Sequence, residues 1–239
     1  TAGAVERGES NIAVTMRTPG NDIELALGFL FTEGILQSVS QVAEVVVAAE
    51  FSNRVTVVLH AKPELDALQL ARNFYMTSSC GVCGKASIEA IRAHTQFPPG
   101  SKDFVVAADR LLQLPAALEA RQAVFQGTGS IHAAALFDND GLESSVYEDV
   151  GRHNAVDKLL GAALMNGRIP LAKQGLLVSG RASFELLQKA RMAGCPMLAA
   201  VGAPSSLAID LAWDADITLI GFLRDGRFNV YAGPARVVS

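Results

Sequence analysis

The chain has 239 residues, half of them hydrophobic, with a formal net charge of −4 and a pI near 5.6, enough to bury a sizeable core as one large domain or, the expectation here, two smaller ones. The acidic balance excludes a nonspecific nucleic-acid or membrane-surface binder, whose footprint is a basic face, and no apolar run approaches membrane-spanning length. Three cysteines without disulfide-framework spacing, and no visible signal peptide, fit a cytoplasmic location; the first residue is Thr1, so trimming of an upstream segment is expected.

Residues 1–76 read as a small α+β domain. Asn11-Ile12-Ala13-Val14-Thr15-Met16 has the composition of a strand, and Arg17-Thr18-Pro19-Gly20 that of a turn. A helix should follow, N-capped by Asn21 or Asp22 and strengthened by Glu24. Its apolar stripe is Ile23, Leu27, Leu30 and Phe31, and Gly34 ends it. Two β-rich runs, 42–49 and 55–59, flank Ser52-Asn53-Arg54 as a hairpin, and Pro63 opens a short helix through Leu70. This domain has no ligand cluster of its own and reads as scaffold.

Residues 77–105 form a connector that carries Thr77-Ser78-Ser79-Cys80-Gly81-Val82-Cys83-Gly84-Lys85 and ends in the break Pro98-Pro99-Gly100-Ser101. A helical pattern with Ala86, Ile88, Ala90 and Ile91 follows the thiols, so they should lie at a helix N-terminus, where free N–H groups and Lys85 favour the thiolate. Three readings stand open on these residues. A structural zinc site needs four Cys or His ligands, and Cys195, His60, His94, His132 and His153 are isolated. A thiol-disulfide oxidoreductase has this spacing but normally places it after a strand, whereas a polar Thr77-Ser78-Ser79 stretch precedes it here. A sulfur carrier would take a sulfur atom on one thiolate and release it by disulfide formation with the other.

Residues 106–239 are more regular. Residues 109–125 predict a helix broken or kinked near Pro115. Strands at 129–137 and 142–148 flank the hairpin turn Asn139-Asp140-Gly141. Alternation then sets in: helices at 153–165, 183–193 and 205–213, strands at 175–179, 196–201 and 217–222. The pattern predicts an α/β domain, a mixed sheet with helices on both faces.

In such sheets ligands bind beyond the carboxyl ends of the strands. Three junctions there carry polar residues: Asp149-Val150-Gly151-Arg152-His153-Asn154, Ser179-Gly180-Arg181-Ala182-Ser183 and Gly202-Ala203-Pro204-Ser205-Ser206. Glycines permit close approach, hydroxyls and N–H groups donate to phosphate oxygens, and Arg152 and Arg181 can grip a phosphate with two bonds each. Taken singly, Ser183 and Ser205 read as N-caps and His153 as a hydrogen-bonded helix-start residue; together the junctions point to an anionic, nucleotide-like ligand. Phe222-Leu223-Arg224-Asp225-Gly226-Arg227 is a hairpin whose two arginines extend that site. Cys195, entering a buried strand, reads as inert core.

These residues resemble the formate dehydrogenase accessory sulfurtransferases of the FdhD type. The resemblance runs through Met16-Arg17-Thr18-Pro19-Gly20, Leu27-Gly28-Phe29, Glu33-Gly34, Ser79-Cys80-Gly81-Val82-Cys83-Gly84 and Thr128-Gly129-Ser130-Ile131-His132-Ala133-Ala134. It continues through Glu148-Asp149-Val150-Gly151-Arg152-His153-Asn154-Ala155-Val156-Asp157-Lys158, Ser179-Gly180-Arg181, Ala203-Pro204-Ser205-Ser206 and Phe222 to Arg227. It implies a cytidine-deaminase-like, three-layer αβα C-terminal domain. The activity implied is acceptance of sulfur from a cysteine desulfurase as a persulfide and its delivery to the molybdenum of bis(molybdopterin guanine dinucleotide), for formate dehydrogenase. Cys80 would carry the persulfide, with Cys83 its partner, and Phe222 to Arg227 would contact the cofactor. GDP-like fragments should bind the junctions at Gly151, Arg152 and His153, at Ser179, Gly180 and Arg181, and at Pro204 and Ser205. Homodimer formation is compatible with this. The resemblance further implies a strand ahead of the N-terminal domain, in a stretch that the sequence from Thr1 onward does not include. Deaminase chemistry does not come with the shape, because neither His132-Ala133-Ala134 nor His153-Asn154-Ala155 supplies the glutamate of H-x-E. A non-catalytic cofactor chaperone would keep the three junctions without needing both thiols.

Overall fold

The computed structural model describes residues 8–48, 53–61, 95, 97–98 and 103–239. The expected helices at 63–70 and 86–94, and the C-x-x-C stretch with Cys80, Cys83 and Lys85, lie outside the described residues, as does most of Pro98-Pro99-Gly100-Ser101. In the N-terminal part come helix α1 (Asp22–Thr32) and the antiparallel hairpin β1 (Val42–Val47) and β2 (Val55–Leu59). The run 11–16 forms no strand. Its last residue, Met16, and the nearby Thr18 instead give their carbonyls to Asn154 and Lys158, at 2.8 and 2.9 Å, and the Thr18 N–H goes to Asp149 at 3.0 Å. With those groups spent on side chains, no ladder begins.

The rest is one sheet with helices on both faces. After a short strand β3 (Val106–Ala107) come helices α2 (Ala108–Glu119) and α3 (Ala123–Thr128), strands β4 (His132–Asp138) and β5 (Gly141–Asp149), and helix α4 (Arg152–Met165). Strand β6 (Gly175–Val178), helix α5 (Phe184–Met192), strand β7 (Met197–Ala200), helix α6 (Ser206–Asp214), strands β8 (Thr218–Arg224) and β9 (Arg227–Ala232), and the two-residue β10 (Val237–Val238) follow. The six-stranded sheet runs β5-β4-β6-β7-β8-β9, parallel only between β6, β7 and β8. Strands β6 and β7, covered on both faces, are buried at every position, which is why Leu176 to Val178 and Met197 to Ala200 are uninterrupted apolar runs.

Alternation along each strand divides the core. Ala134, Leu136, Leu176, Val178, Leu198 and Leu219 face α1, α4, α5 and α6. Ala133, Ala135, Phe137, Leu177, Met197 and Ile220 face α2 through Leu111, Leu114 and Leu118. Those leucines lie on both sides of Pro115 and hold α2 as one helix through it, so the expected break falls after Glu119 instead. Each such buried Leu or Phe contributes about 1.5–3 kcal/mol.

Helix α1 lies against α4, and Leu27, Leu30, Phe31, Ile35 and Leu36 share one cluster with Ala155, Val156, Leu159 and Leu160. The contact is backbone to backbone: a Cβ on Gly28 would overlap the Asp157 carbonyl, and one on Gly161 the Glu24 carbonyl.

Candidate functional site

The carboxyl ends of β5 to β8 and the first residue of β4 meet along one rim, because β4 runs antiparallel to both β5 and β6. The three polar junctions lie along this rim, as their chain positions predict. Asp149, fully buried at the end of β5, organises the first of them. Its carboxylate accepts from the N–H groups of Thr18 and Gly151 at 3.0 and 2.9 Å, from Asn154 Nδ2 at 3.0 Å, and from Lys158 Nζ at 2.8 Å. These bonds tie Gly151, the N-cap of α4, and Asn154 and Lys158 within that helix to the end of β5, so Arg152, the first helical residue, starts at the rim.

The other two junctions are packed on each other. Ala182 and Pro204 form a parallel bridge, and Gly202 N–H donates to the Gly180 carbonyl at 2.9 Å. In turn the Phe222 N–H donates to the Gly202 carbonyl at 3.0 Å. Phe222 sits in the left-handed region, φ 53°, within a β8–β9 register shift; a residue with a Cβ bears roughly 1–2 kcal/mol of strain there. That distortion changes which face the strand end presents. Leu223 returns to the core, fully buried, while Arg224 reaches the rim and lies 5.8 Å from the Phe222 ring. Asp225 and Gly226, both with positive φ, make the turn to β9, and Arg227 is exposed at its start.

Between these elements is a pocket of about 230 Å³ lined by Ser179, Gly180, Arg181, Val201 and Gly202, with Arg152, Arg224 and His132 around it. Of the expected site residues, Arg152, Ser179, Gly180, Arg181 and Arg224 are brought together here. The Leu223 side chain is core, and Gly151, His153, Pro204, Ser205, Phe222, Asp225, Gly226 and Arg227 stand around the lining or along the hairpin rather than in it. Ser205 is the N-cap of α6, accepting from the Ala208 N–H at 3.2 Å. Ser183 makes no cap bond; its hydroxyl shares a hydrogen bond with His153 Nε2 at 3.3 Å. Burial, with Lys189 and Arg152 nearby, pulls the His153 pKa down to about 4 against a weaker pull from Glu185, so His153 is neutral at pH 7. Among the described residues no three His, Cys, Asp or Glu side chains converge as a metal site.

The FdhD/NarQ family model matches residues 3–238. The chain belongs to the FdhD/NarQ family. Proteins named sulfur carrier protein FdhD are 51% identical in Mycolicibacterium paratuberculosis, over 96% of this chain and 87% of that one, and 53% identical in Streptomyces coelicolor, over 95% and 83%. A relative of the same name from Sulfolobus acidocaldarius is 41% identical over 96% of this chain and 86% of its own. The fold is shared with a crystal structure from Desulfotalea psychrophila described as a formate dehydrogenase accessory protein. Its TM-score is 0.72 at 26% identity, over 94% of this chain and 83% of that one.

In this FdhD/NarQ chain sequence reasoning missed His132 and Val201 as lining residues. Gly202 opens a junction already singled out, and Val201 adjoins it. His132 carried only the signal of a failed deaminase motif, and what puts it in the pocket is the direction of β4. Chemically the pocket presents three guanidinium groups, the first turn of a long helix and a serine hydroxyl. No carboxylate pairs with Arg152 or Arg181 among the described residues, and Arg152 Nε is buried without an acceptor. Such a set takes a multiply charged oxyanion, above all a phosphate.

Proposed function

We propose that this chain is a sulfurtransferase that accepts sulfur from a cysteine desulfurase as a persulfide on Cys80 and passes it to the molybdenum of bis(molybdopterin guanine dinucleotide), the cofactor that formate dehydrogenase requires. The observation that carries the reading is a pocket with three arginines, two of which, Arg152 and Arg181, pair with no carboxylate among the described residues, in a family whose relatives are named sulfur carriers. A protein that only carried sulfur between partners would have no use for a phosphate-sized cationic pocket, whereas one that hands sulfur to a nucleotide-bearing cofactor must hold that cofactor. Arg152, Arg181 and Arg224 are suited to its phosphates, and the residues from Phe222 to Arg227 to an adjoining part of the same ligand.

The sulfur chemistry uses the two thiols of Cys80-Gly81-Val82-Cys83. The Cys80 thiolate takes a sulfane sulfur from the desulfurase persulfide and becomes Cys80–S–SH. When the Cys83 thiolate attacks the Cys80 sulfur, the terminal atom leaves as hydrosulfide, reduced by two electrons, and the two cysteines are oxidised to a disulfide that cellular thiols reset. A chaperone without transfer activity would bind the cofactor and skip these steps.

The test is an intact-mass measurement after incubation with a cysteine desulfurase and cysteine, together with calorimetry using GDP. Wild-type protein and Cys83→Ala should gain one sulfur atom, and Cys80→Ala should not. GDP should bind, and Arg181→Ala should weaken it roughly 10- to 100-fold, the effect of losing charge-assisted bonds to phosphate. Normal loading of both single cysteine variants would sink the sulfur assignment, and no GDP binding at millimolar ligand would sink the pocket assignment.

A further inference from the structure

His132 is the one lining residue of the pocket that is neither an arginine nor a small or apolar group apart from Ser179. It opens β4, and its cross-strand partner is Asp149, so its side chain is on the face that carries α4. The ring lies against Gly180, where a Cβ would come within 3.2 Å of its Nδ1. A side chain at position 180 would press on the imidazole and shift it by a few tenths of an ångström.

The groups facing it come from every neighbouring element: Arg152 and His153 from α4, Arg181 from the loop after β6, Arg224 from β8 and Asp149 from β5. Asp149 already receives four donors, Lys158 among them, and Glu185 is taken up with His153. Among the described residues, then, no carboxylate pairs with His132 and its ring nitrogens have no hydrogen-bond partner. Together with the unanswered Arg152 Nε, two adjacent groups are short of the same thing, an acceptor oxygen.

We propose that His132 is a proton-coupled contact of this pocket, hydrogen-bonding an oxygen of a bound phosphate group and taking up one proton from solvent as that phosphate arrives. The inference rests on reading the pocket as a nucleotide-phosphate site. Before an anion arrives, burial and the guanidinium groups of Arg152 and Arg181 hold the imidazole pKa below its ordinary value. A phosphate dianion seated among the same groups cancels their repulsion and favours the imidazolium. Between the lowered pKa of the free protein and the raised pKa of the complex, binding therefore consumes a proton, and affinity falls as pH rises through that window. Below it the imidazole is charged in both states, above it neutral in both, and the contribution to pH dependence vanishes.

The test is calorimetry in buffers of different ionisation enthalpy between about pH 5.5 and about pH 8, on wild-type protein, His132→Gln and His132→Asn. The ligands are GDP, whose own phosphate titrates, and inorganic sulfate, which stays a tetrahedral dianion throughout. Wild-type protein should take up about half a proton with sulfate midway through the window, the uptake that accompanies a tenfold change in affinity, and more with GDP than either variant does. At the acid end His132→Gln should bind GDP about tenfold more weakly, the effect of losing one charge-assisted hydrogen bond, and its pH profile should flatten to that of GDP itself. Zero proton uptake with sulfate by the wild type, or equal uptake with and without His132, overturns the proposal whatever the variants' stability. If GDP fails to bind while sulfate binds with His132-dependent uptake, the nucleotide reading falls and His132 keeps its role; if neither ligand binds, both fall.

Discussion

His153 stands one residue from Arg152 yet faces a different set of groups, and the contrast shows how little of a side chain's role is carried by its position in a motif. Its Nε2 meets the Ser183 hydroxyl at 3.3 Å and lies 3.9 Å from a Glu185 oxygen, while Lys189, buried among Asp157, Thr32 and Glu33, repels a proton from behind. Burial and that repulsion move its pKa from 6.5 to about 4. A histidine whose folded pKa is depressed binds fewer protons folded than unfolded, so its contribution to stability is full above pH 6.5 and is lost progressively as pH falls towards 4. Wild-type protein should therefore lose thermal stability between pH 7 and pH 5 more steeply than His153→Gln, which cannot titrate. Melting curves at the two pH values check this, and parallel losses in both proteins would mean that His153 does not titrate as described. Residue identity alone would have made His132 and His153 equivalent. What separates them is that His153 has a hydroxyl and a carboxylate within reach, whereas His132 has no hydrogen-bond or ion-pair partner among the described residues.

At the scale of elements, the short-range signals were legible and the long-range ones were not. Asp225 and Gly226 at φ 55° and 68° are what a two-residue hairpin of that composition requires, and Asn139-Asp140-Gly141 likewise turns β4 into β5. The alternation after residue 150 was read correctly because buried parallel strands and amphipathic helices have different periods. The run 11–16 failed as a strand for a reason no local pattern holds: the hydrogen-bond groups of Met16 at its end and of Thr18 just beyond belong to Asp149, Asn154 and Lys158, far along the chain. The closeness of α1 and α4 is the second such case. Gly28 and Gly161 look like weak points in two helices, yet each admits the other helix's backbone. Gly28→Ala should cost about 1–3 kcal/mol or more, since the helices must separate. Gly127→Ala, in α3 with nothing near its would-be Cβ, should be neutral or slightly stabilising. Urea unfolding of the two variants decides the matter, and equal stabilities would mean that the α1–α4 contact tolerates the added methyl.

For the molecule as a whole, the rim was legible because three strand-to-helix junctions, all with glycine and two with arginine, must meet at the carboxyl ends of strands that run in one direction. Its fourth side was not, since only the antiparallel course of β4 places His132 there. The proposed function further requires two separable tasks in one chain, holding a cofactor by its phosphates and carrying sulfur on a thiol. Arg181 is suited to test the division: it is exposed, lines the pocket, and makes no ion pair among the described residues, so its loss should remove charge from the pocket without disturbing either core cluster. Arg181→Ala should bind GDP more weakly while loading persulfide from a cysteine desulfurase at the wild-type level. Cys80→Ala should show the reverse, normal GDP affinity with no loading, and neither variant should support activation of formate dehydrogenase. The three measurements on the two variants form a closed set, because each variant is the folding control for the other. If Arg181→Ala abolished loading in a protein that melts as wild type does, or Cys80→Ala abolished GDP binding, thiol and pocket would be one site rather than two, and sulfur would have to be taken up only when the cofactor is already bound.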